Sequence, residues 1–495
     1  MKKTTIFCFV LFLATSCAVQ KSRTTTKKYA IQQVQSDYDL FRNIIEDGHP
    51  GLYWYTPKDS MDQYFAAGRN MLGDSMTEFQ FRTVLSYVAA KLRCGHTSIR
   101  PSKKFSRQGD SLRNQLFPLN FKLWKDTAIV TSNISRKDSF IKRGMLVTAI
   151  EGLPMQKIAD SLFEYLSGDG YNLTHKYQTL SNRGTFNALY PAVFGYKSRY
   201  NINYVDTAGQ AKTTFVSIYS PPKDDSASGK GDRPKPAKIT RREKKQMQLI
   251  FNRSIQTDTS LSTAFMGLHT FTKPGKLRPF FRSSFRELRK RRTKNLVIDL
   301  RGNGGGSVTN SNLLTKYISD HPFKIADSLY TKRKNSPYAH YRENRLANWL
   351  FTVFMTSKRI DGNYHFGYYE RKKFKPKKKN HFDGKVYVLS GGNTFSASTL
   401  FIKSVKDQEN VTIVGEETGG GAYGNNAWLI PDVTLPVTKV RFRLPLFRLV
   451  IDKNEEKGFG AQPEVLSLPT VEAIRKNRDF KTEKAVELIK AAVKD

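Results

Sequence analysis

Three serines, one glycine-rich loop and a few histidines hold most of the chemistry this sequence could perform. Ser390, Ser396 and Ser398 fall in Ser390-Gly391-Gly392-Asn393-Thr394-Phe395-Ser396-Ala397-Ser398, between a strand-like run and a helical one. A serine at that junction sits at a helix N-terminus, where free N–H groups and the helix dipole favour negative charge. Serine is also the commonest helix cap, so a purely structural role fits the position too. As a nucleophile a hydroxyl needs a base to take its proton, most often a histidine. Of the eight histidines, His96 is the best placed, released from a helix end by Cys94-Gly95, while His49 lies in a Gly-His-Pro turn.

The second candidate is Asp299-Leu300-Arg301-Gly302-Asn303-Gly304-Gly305-Gly306, at the end of a strand-like run. Such a loop exposes backbone N–H groups that can hold a negative charge. It is no phosphate loop, because no Gly-Lys-Ser/Thr follows. It is no dinucleotide loop either, because the third glycine would fall on Ser307. An anion hole and a structural turn both remain open. Three cysteines exclude a disulfide scaffold and a CxxC metal framework. Cys94, beside a histidine, could be a nucleophile, but an inert, semi-buried thiol is the commoner case.

These groups need a frame, and the periodicity supplies one. Val34, Tyr38, Phe41 and Ile45 share one helix face. Thr77 and Gln80 form a capping box ahead of Phe81, Val84, Leu85, Val88 and Leu92, and that helix stops just before His96. From Leu116 the period shortens, with strands at Phe117–Leu123 and Ala128–Val130. Gly144 to Gly152 reads as strand and turn before a helix from Met155. After residue 280, strands at Asn295–Leu300, Lys385–Leu389 and Val411–Val414 alternate with helices, which points to an α/β core with partly parallel pairing. An amphipathic helix through Ala485, Leu488, Ile489 and Ala492 closes the chain.

A length of 495 residues points to roughly two to four domains, and 39% hydrophobic residues exclude a wholly disordered chain. The formal charge is +39. That fits a solvated basic surface, or less commonly a surface that meets nucleic acid, anionic lipid or acidic glycan. Pro221 to Lys245 reads as a basic linker, and Arg371 to Lys379 carries seven cations and no acid. Lys2 and Lys3, the apolar run Ile6 to Leu13 and Ala14-Thr15-Ser16-Cys17 read as a secretory signal. Small residues before the cysteine are similar to a bacterial lipoprotein cleavage box, which implies lipid on Cys17 and an envelope location.

Three blocks together resemble the tail-specific, or C-terminal-processing, serine proteases. They are Leu296 to Ser307, Thr394 to Gly421, and Gly458 to Val465 (Gly-Phe-Gly-Ala-Gln-Pro-Glu-Val). The resemblance implies an α/β multidomain protein. Its parts are a signal at 1–16, a tether at 17–27, a helical segment at 28–110 and a PDZ-like α+β domain at 111–219. A basic linker at 220–248 then leads to a catalytic core of the ClpP/crotonase type at 249–495. It implies Ser396 as nucleophile, with Gly305 and Ala397 N–H groups as oxyanion hole. The lysine used as base in one branch would fall on Gly421, so the chain resembles instead the branch of the tricorn core proteases and interphotoreceptor retinoid-binding protein repeats. There the base falls on His96.

The serine that precedes that histidine in tricorn-type enzymes is replaced here by Gly95. The distant glutamate of the relay falls on Lys457, and Glu456 beside it is taken for the role. No metal or cofactor is implied. Expected partners are protein or peptide substrates, with a substrate C-terminus added as a strand near Gly144 to Gly152, and a membrane through the lipid; no nucleic acid is expected. A non-catalytic binding lipoprotein on the same fold is the rival reading, because fold alone does not decide activity.

Overall fold

In a computed structural model, residues 27–108, 115–135, 140–220 and 239–492 are described. The expected signal, Cys17 and most of the basic linker lie outside those residues. The first helices are α1 (Ile31–Gly48), α2 (Lys58–Asn70) and α3 (Glu78–Lys91). The capping box of α3 forms as expected: the Gln80 N–H donates to Thr77 Oγ1 at 3.2 Å, and the Thr77 N–H donates to Gln80 Oε1 at 2.9 Å. The buried faces of α1 to α3 share one hydrophobic core with Leu329, Phe442, Leu444, Phe447 and Leu449. The helices are thus a layer on the C-terminal half.

The main sheet runs β1 (Arg253–Asp258), β2 (Thr263–Leu268), β3 (Asn295–Asp299), β4 (Lys385–Ser390), β5 (Val411–Gly415) and β6 (Val465–Leu466) in spatial order. Only the β1–β2 pair is antiparallel. Helices α4 (Leu277–Lys290), α5 (Val308–Ile318) and α6 (Ala397–Val405) contribute Phe281, Phe285, Leu314 and Phe401 to a common core with β2, β3 and β4. Near-continuous apolar strands such as Leu296-Val297-Ile298 suit a parallel sheet covered on both faces. On the other face, α7 (Phe480–Ala491) packs Ala485 and Ile489 against Val297, Tyr387 and Val414.

Between α3 and the main sheet lies an insert, an antiparallel sheet with helices Met155–Phe163, Leu173–Ser181 and Thr185–Phe194. Its core holds Phe117, Phe121, Ile150, Phe186 and Tyr200. The strand Leu146–Ile150, expected to accept a substrate strand, is already paired with Thr127–Asn133, Leu153–Pro154 and Arg199–Val205. Strand addition needs a free edge, so this strand has no room for a guest along its length. The end of the expected linker differs too. Arg241–Asn252 is helical, because Thr240 and Glu243 form a capping box within the basic run.

No helix among the described residues is long and apolar enough to cross a membrane.

Candidate active site

Both glycine-rich segments end at the C-terminal edge of the parallel strands. β3 runs into the loop 300–306 and β4 into 391–396, and the two are tied together. The Phe395 N–H donates to the Asn303 carbonyl at 3.1 Å, and Thr394 Oγ1 donates to the Leu300 carbonyl at 2.8 Å. This edge is where open α/β sheets place their ligands.

Of the three serines, Ser396 alone lines a cleft of about 560 Å³, together with Gly306, Tyr369, Trp428, Leu429 and Arg443. Ser390 is buried and donates to the Glu416 carbonyl, and Ser398 is buried inside α6. Ser396 precedes α6 with φ 58° and ψ −120°. Such a backbone costs a residue with a Cβ about 1–3 kcal/mol and persists only where its surroundings impose it. The surroundings are visible: a Cβ added at Gly305 would lie 2.8 Å from Ser396 Cβ, so the two loops meet in van der Waals contact. A sharp strand-to-helix turn of this kind lifts a hydroxyl out of the backbone and leaves the first N–H groups of the helix unpaired.

The Ala397 N–H is one such group, at the first position of α6. The Gly305 N–H is not free, since it donates to Asn303 Oδ1 at 2.9 Å. Its neighbour differs: Gly306 lines the cleft, and among the described residues its N–H has no hydrogen-bond acceptor.

His96 reaches this edge because the chain after α3 pairs with the core. Ile99–Arg100 forms a strand against Arg441–Arg443, and the Arg443 N–H donates to the Ser98 carbonyl at 3.0 Å. The imidazole is buried, 5% exposed, and packs against Phe395 in a tilted pair with ring centroids 5.0 Å apart. Among the described residues neither ring nitrogen has a hydrogen-bond partner, and no Ser396–His96 bond is formed. Catalytic hydrogen bonds are commonly long before substrate closes the site. Burial, with Arg443 and His175 nearby, pushes its pKa down to about 3, so the ring is neutral. The next residue, Thr97, is held by His49, whose Nε2 lies 3.0 Å from Thr97 Oγ1.

The acid beside His96 is Asp169, which the sequence reading missed. Donor atoms of Cys94, His96 and Asp169 all lie within 4.8 Å of one another. Asp169 Oδ1 accepts the Gly95 N–H at 2.8 Å and Oδ2 accepts the Gly421 N–H at 3.2 Å. Burial raises its pKa to about 6 against the pull of these bonds and of Arg448. It comes from the loop between two insert helices, a loop docked on the core by Asn172 Nδ2 to the Thr418 carbonyl at 2.7 Å and Thr174 Oγ1 to Glu417 at 2.8 Å. An acid bracketed by Gly168 and Gly170 was the available signal. Glu456 is exposed, and among the described residues it has no hydrogen bond or ion pair. Its neighbour Glu455 pairs with Lys403, away from the imidazole.

Two glycines at family positions also have reasons. A Cβ at Gly95 would meet the Phe395 ring at 2.4 Å, so a serine before His96 is sterically shut out. At Gly421 it would meet the Gly424 carbonyl at 2.6 Å, which leaves no room for a lysine.

Residues 262–462 match the sequence profile of Peptidase family S41. The chain carries a Peptidase family S41 domain. The protein is a serine-type peptidase, and the resemblance carried by the three motif blocks holds at the level of the S41 family. Two of those blocks fall wholly within the matched residues. Among solved structures, mature CPAF is similar over 93% of this chain and 97% of its own, at 14% identity and a TM-score of 0.60. Mature CPAF complexed with lactacystin is similar over 94% and 98%, at 14% identity and a TM-score of 0.59. The tricorn protease covers 93% of this chain with 37% of its own, at 13% identity and a TM-score of 0.40. The two CPAF structures show the fold, a mixed α/β assembly of several sheets. No curated protein matches the S41 chain.

Proposed function

We propose that this peptidase is an endopeptidase working through Ser396 and His96. Ser396 Oγ attacks the scissile carbonyl as His96 takes its proton. The amide C–N bond then breaks, the leaving amine takes that proton, and water releases the acyl group by the same route in reverse. The N–H groups of Ala397 and Gly306 receive the oxyanion, in place of the Gly305 expected from the sequence. Asp169 takes the orienting role first given to Glu456. The observation that carries the reading is the strained Ser396 at the start of α6, open to a cleft beside unpaired N–H groups.

Tyr369, Trp428, Leu429 and Leu449 give the cleft an apolar wall, which supports an apolar residue next to the scissile bond. A lipid on Cys17 and an envelope location rest on the sequence of the first residues. A serine-reactive phosphonate tests the mechanism. Labelling should fall on the peptide that contains Ser396 and vanish in both Ser396→Ala and His96→Ala, with Ser398→Ala labelled like the parent. Full labelling of His96→Ala would place the base elsewhere.

A further inference from the structure

Cys94, His96 and Asp169 form a buried group with soft, borderline and hard donors, and the peptidase chemistry uses only part of it. Cys94 is buried and a free thiol, and its sulfur lies 3.9 Å from the Asn426 carbonyl with Thr97 and the His96 backbone also against it. His96 points both ring nitrogens at no partner although it is almost wholly buried. An unpaired buried polar group is costly, so such a group in a native fold asks for a missing ligand. Asp169 accepts one N–H on each oxygen, and a carboxylate oxygen has a second lone pair to offer.

We infer that Cys94, His96 and Asp169 form a Zn²⁺ site whose occupation switches the peptidase off; the inhibitory part rests on His96 being the base. Thiolate, imidazole and carboxylate are zinc ligands, and the thiolate selects zinc over magnesium or calcium. In a tetrahedral zinc site the donor atoms lie roughly 3.3–3.7 Å apart. The present spread of up to 4.8 Å therefore needs closure of about 1 Å, within reach of side-chain rotation. Binding releases the thiol proton, and the two anionic ligands balance the cation in a buried place. The fourth position is left for water. A neutral imidazole has one nitrogen lone pair, so zinc on either ring nitrogen takes it and leaves the N–H on the other, which then cannot accept the Ser396 proton.

The test uses the full chain carrying Ser396→Ala, so that the first readout needs no activity. Co²⁺ added to it should give a thiolate-to-cobalt absorption band in the near ultraviolet, abolished by equimolar Zn²⁺. The band should be absent when Cys94→Ala is added, and weak or absent with Cys94→Ser. In the parent enzyme, buffered Zn²⁺ should suppress phosphonate labelling reversibly on chelation. Cys94→Ala should raise the zinc concentration for half-suppression at least tenfold relative to its own zinc-free rate. No band in excess Co²⁺, or a band that survives both Cys94 variants, overturns the metal site, and does so without touching the peptidase reading. A band with undiminished labelling in zinc overturns the switch and the role of His96 as base together.

Discussion

His96 and Phe395 pack ring on ring at 5.0 Å, and Phe395 is the residue immediately before Ser396. The turns that carry His96 and Ser396 therefore meet through an aromatic contact. His175 also packs against Phe395 at 5.0 Å, tilted, and its Nδ1 lies 2.7 Å from the Gly392 carbonyl. Phe395 thus couples α3, the insert and α6.

That contact makes Gly95 a steric keystone. Gly95→Ala should push the Phe395 ring aside, because the new Cβ would stand 2.4 Å from it. Overpacking of this kind costs about 1–3 kcal/mol. Thermal melts should fall by several degrees and kcat/KM should drop at least tenfold. Restoring a serine at 95 should therefore impair the enzyme.

The strain at Ser396 predicts a trade between stability and activity. Ser396→Gly removes the nucleophile and the Cβ that makes φ 58° costly. It should be inactive yet at least as stable as Ser396→Ala, by about 1 kcal/mol in a denaturant titration. A less stable glycine variant would show that the turn is not strained.

Kinetics should separate Asp169 from Glu456. Asp169→Asn keeps the size but offers only one acceptor oxygen for the two N–H groups of Gly95 and Gly421. It should lower kcat at least tenfold with KM nearly unchanged, as expected for a group that positions the base. Glu456→Gln should match the parent within twofold, since that side chain is exposed.

A buried ion pair anchors the strand that leads to Ser396. Lys481 Nζ lies 2.6 Å from Glu416 Oε2 and donates to the Ser390 carbonyl at 2.8 Å. Burial works to raise the Glu416 pKa, but Lys481 and Lys122 outweigh it and the net value falls below 4.5. A depressed carboxyl adds stability above its unfolded pKa and loses it as pH falls through the folded one. Unfolding should therefore become easier below about pH 4.5. Glu416→Gln should be less stable at pH 7, by about 3–5 kcal/mol for a broken buried pair, with a flatter acid slope. Burial lowers the Lys481 pKa despite Glu416, so its charged form is a cost at pH 7 that is relieved as pH rises into the alkaline range. Melts from pH 3 to 9 on both proteins check the signs.

The envelope address has its own test. Mass spectrometry of the N-terminal peptide should find lipid-modified Cys17. An unmodified terminus elsewhere would remove the anchor and leave the peptidase assignment untouched.

By itself the sequence determined the elements and the chemistry they could carry. The apolar runs of β3, β4 and β5, the Thr77–Gln80 cap and the Asp299–Gly306 and Thr394–Ser398 motifs are local signals, each written within a few residues. The tertiary structure decided which groups meet. It opens half-buried Ser396 to a cleft and buries Ser390 and Ser398, and among the described residues it leaves the Gly306 N–H, not the Gly305 N–H, without an acceptor. It also places Asp169 beside His96 and leaves Glu456 exposed. The bonds that dock the Asp169 loop end on backbone groups such as Gly95 N–H, Gly421 N–H and the Thr418 carbonyl. Every residue carries such groups whatever its side chain, so partners 74 and 252 positions from Asp169 leave no trace in residue type. Only the folded path of the chain brings them together.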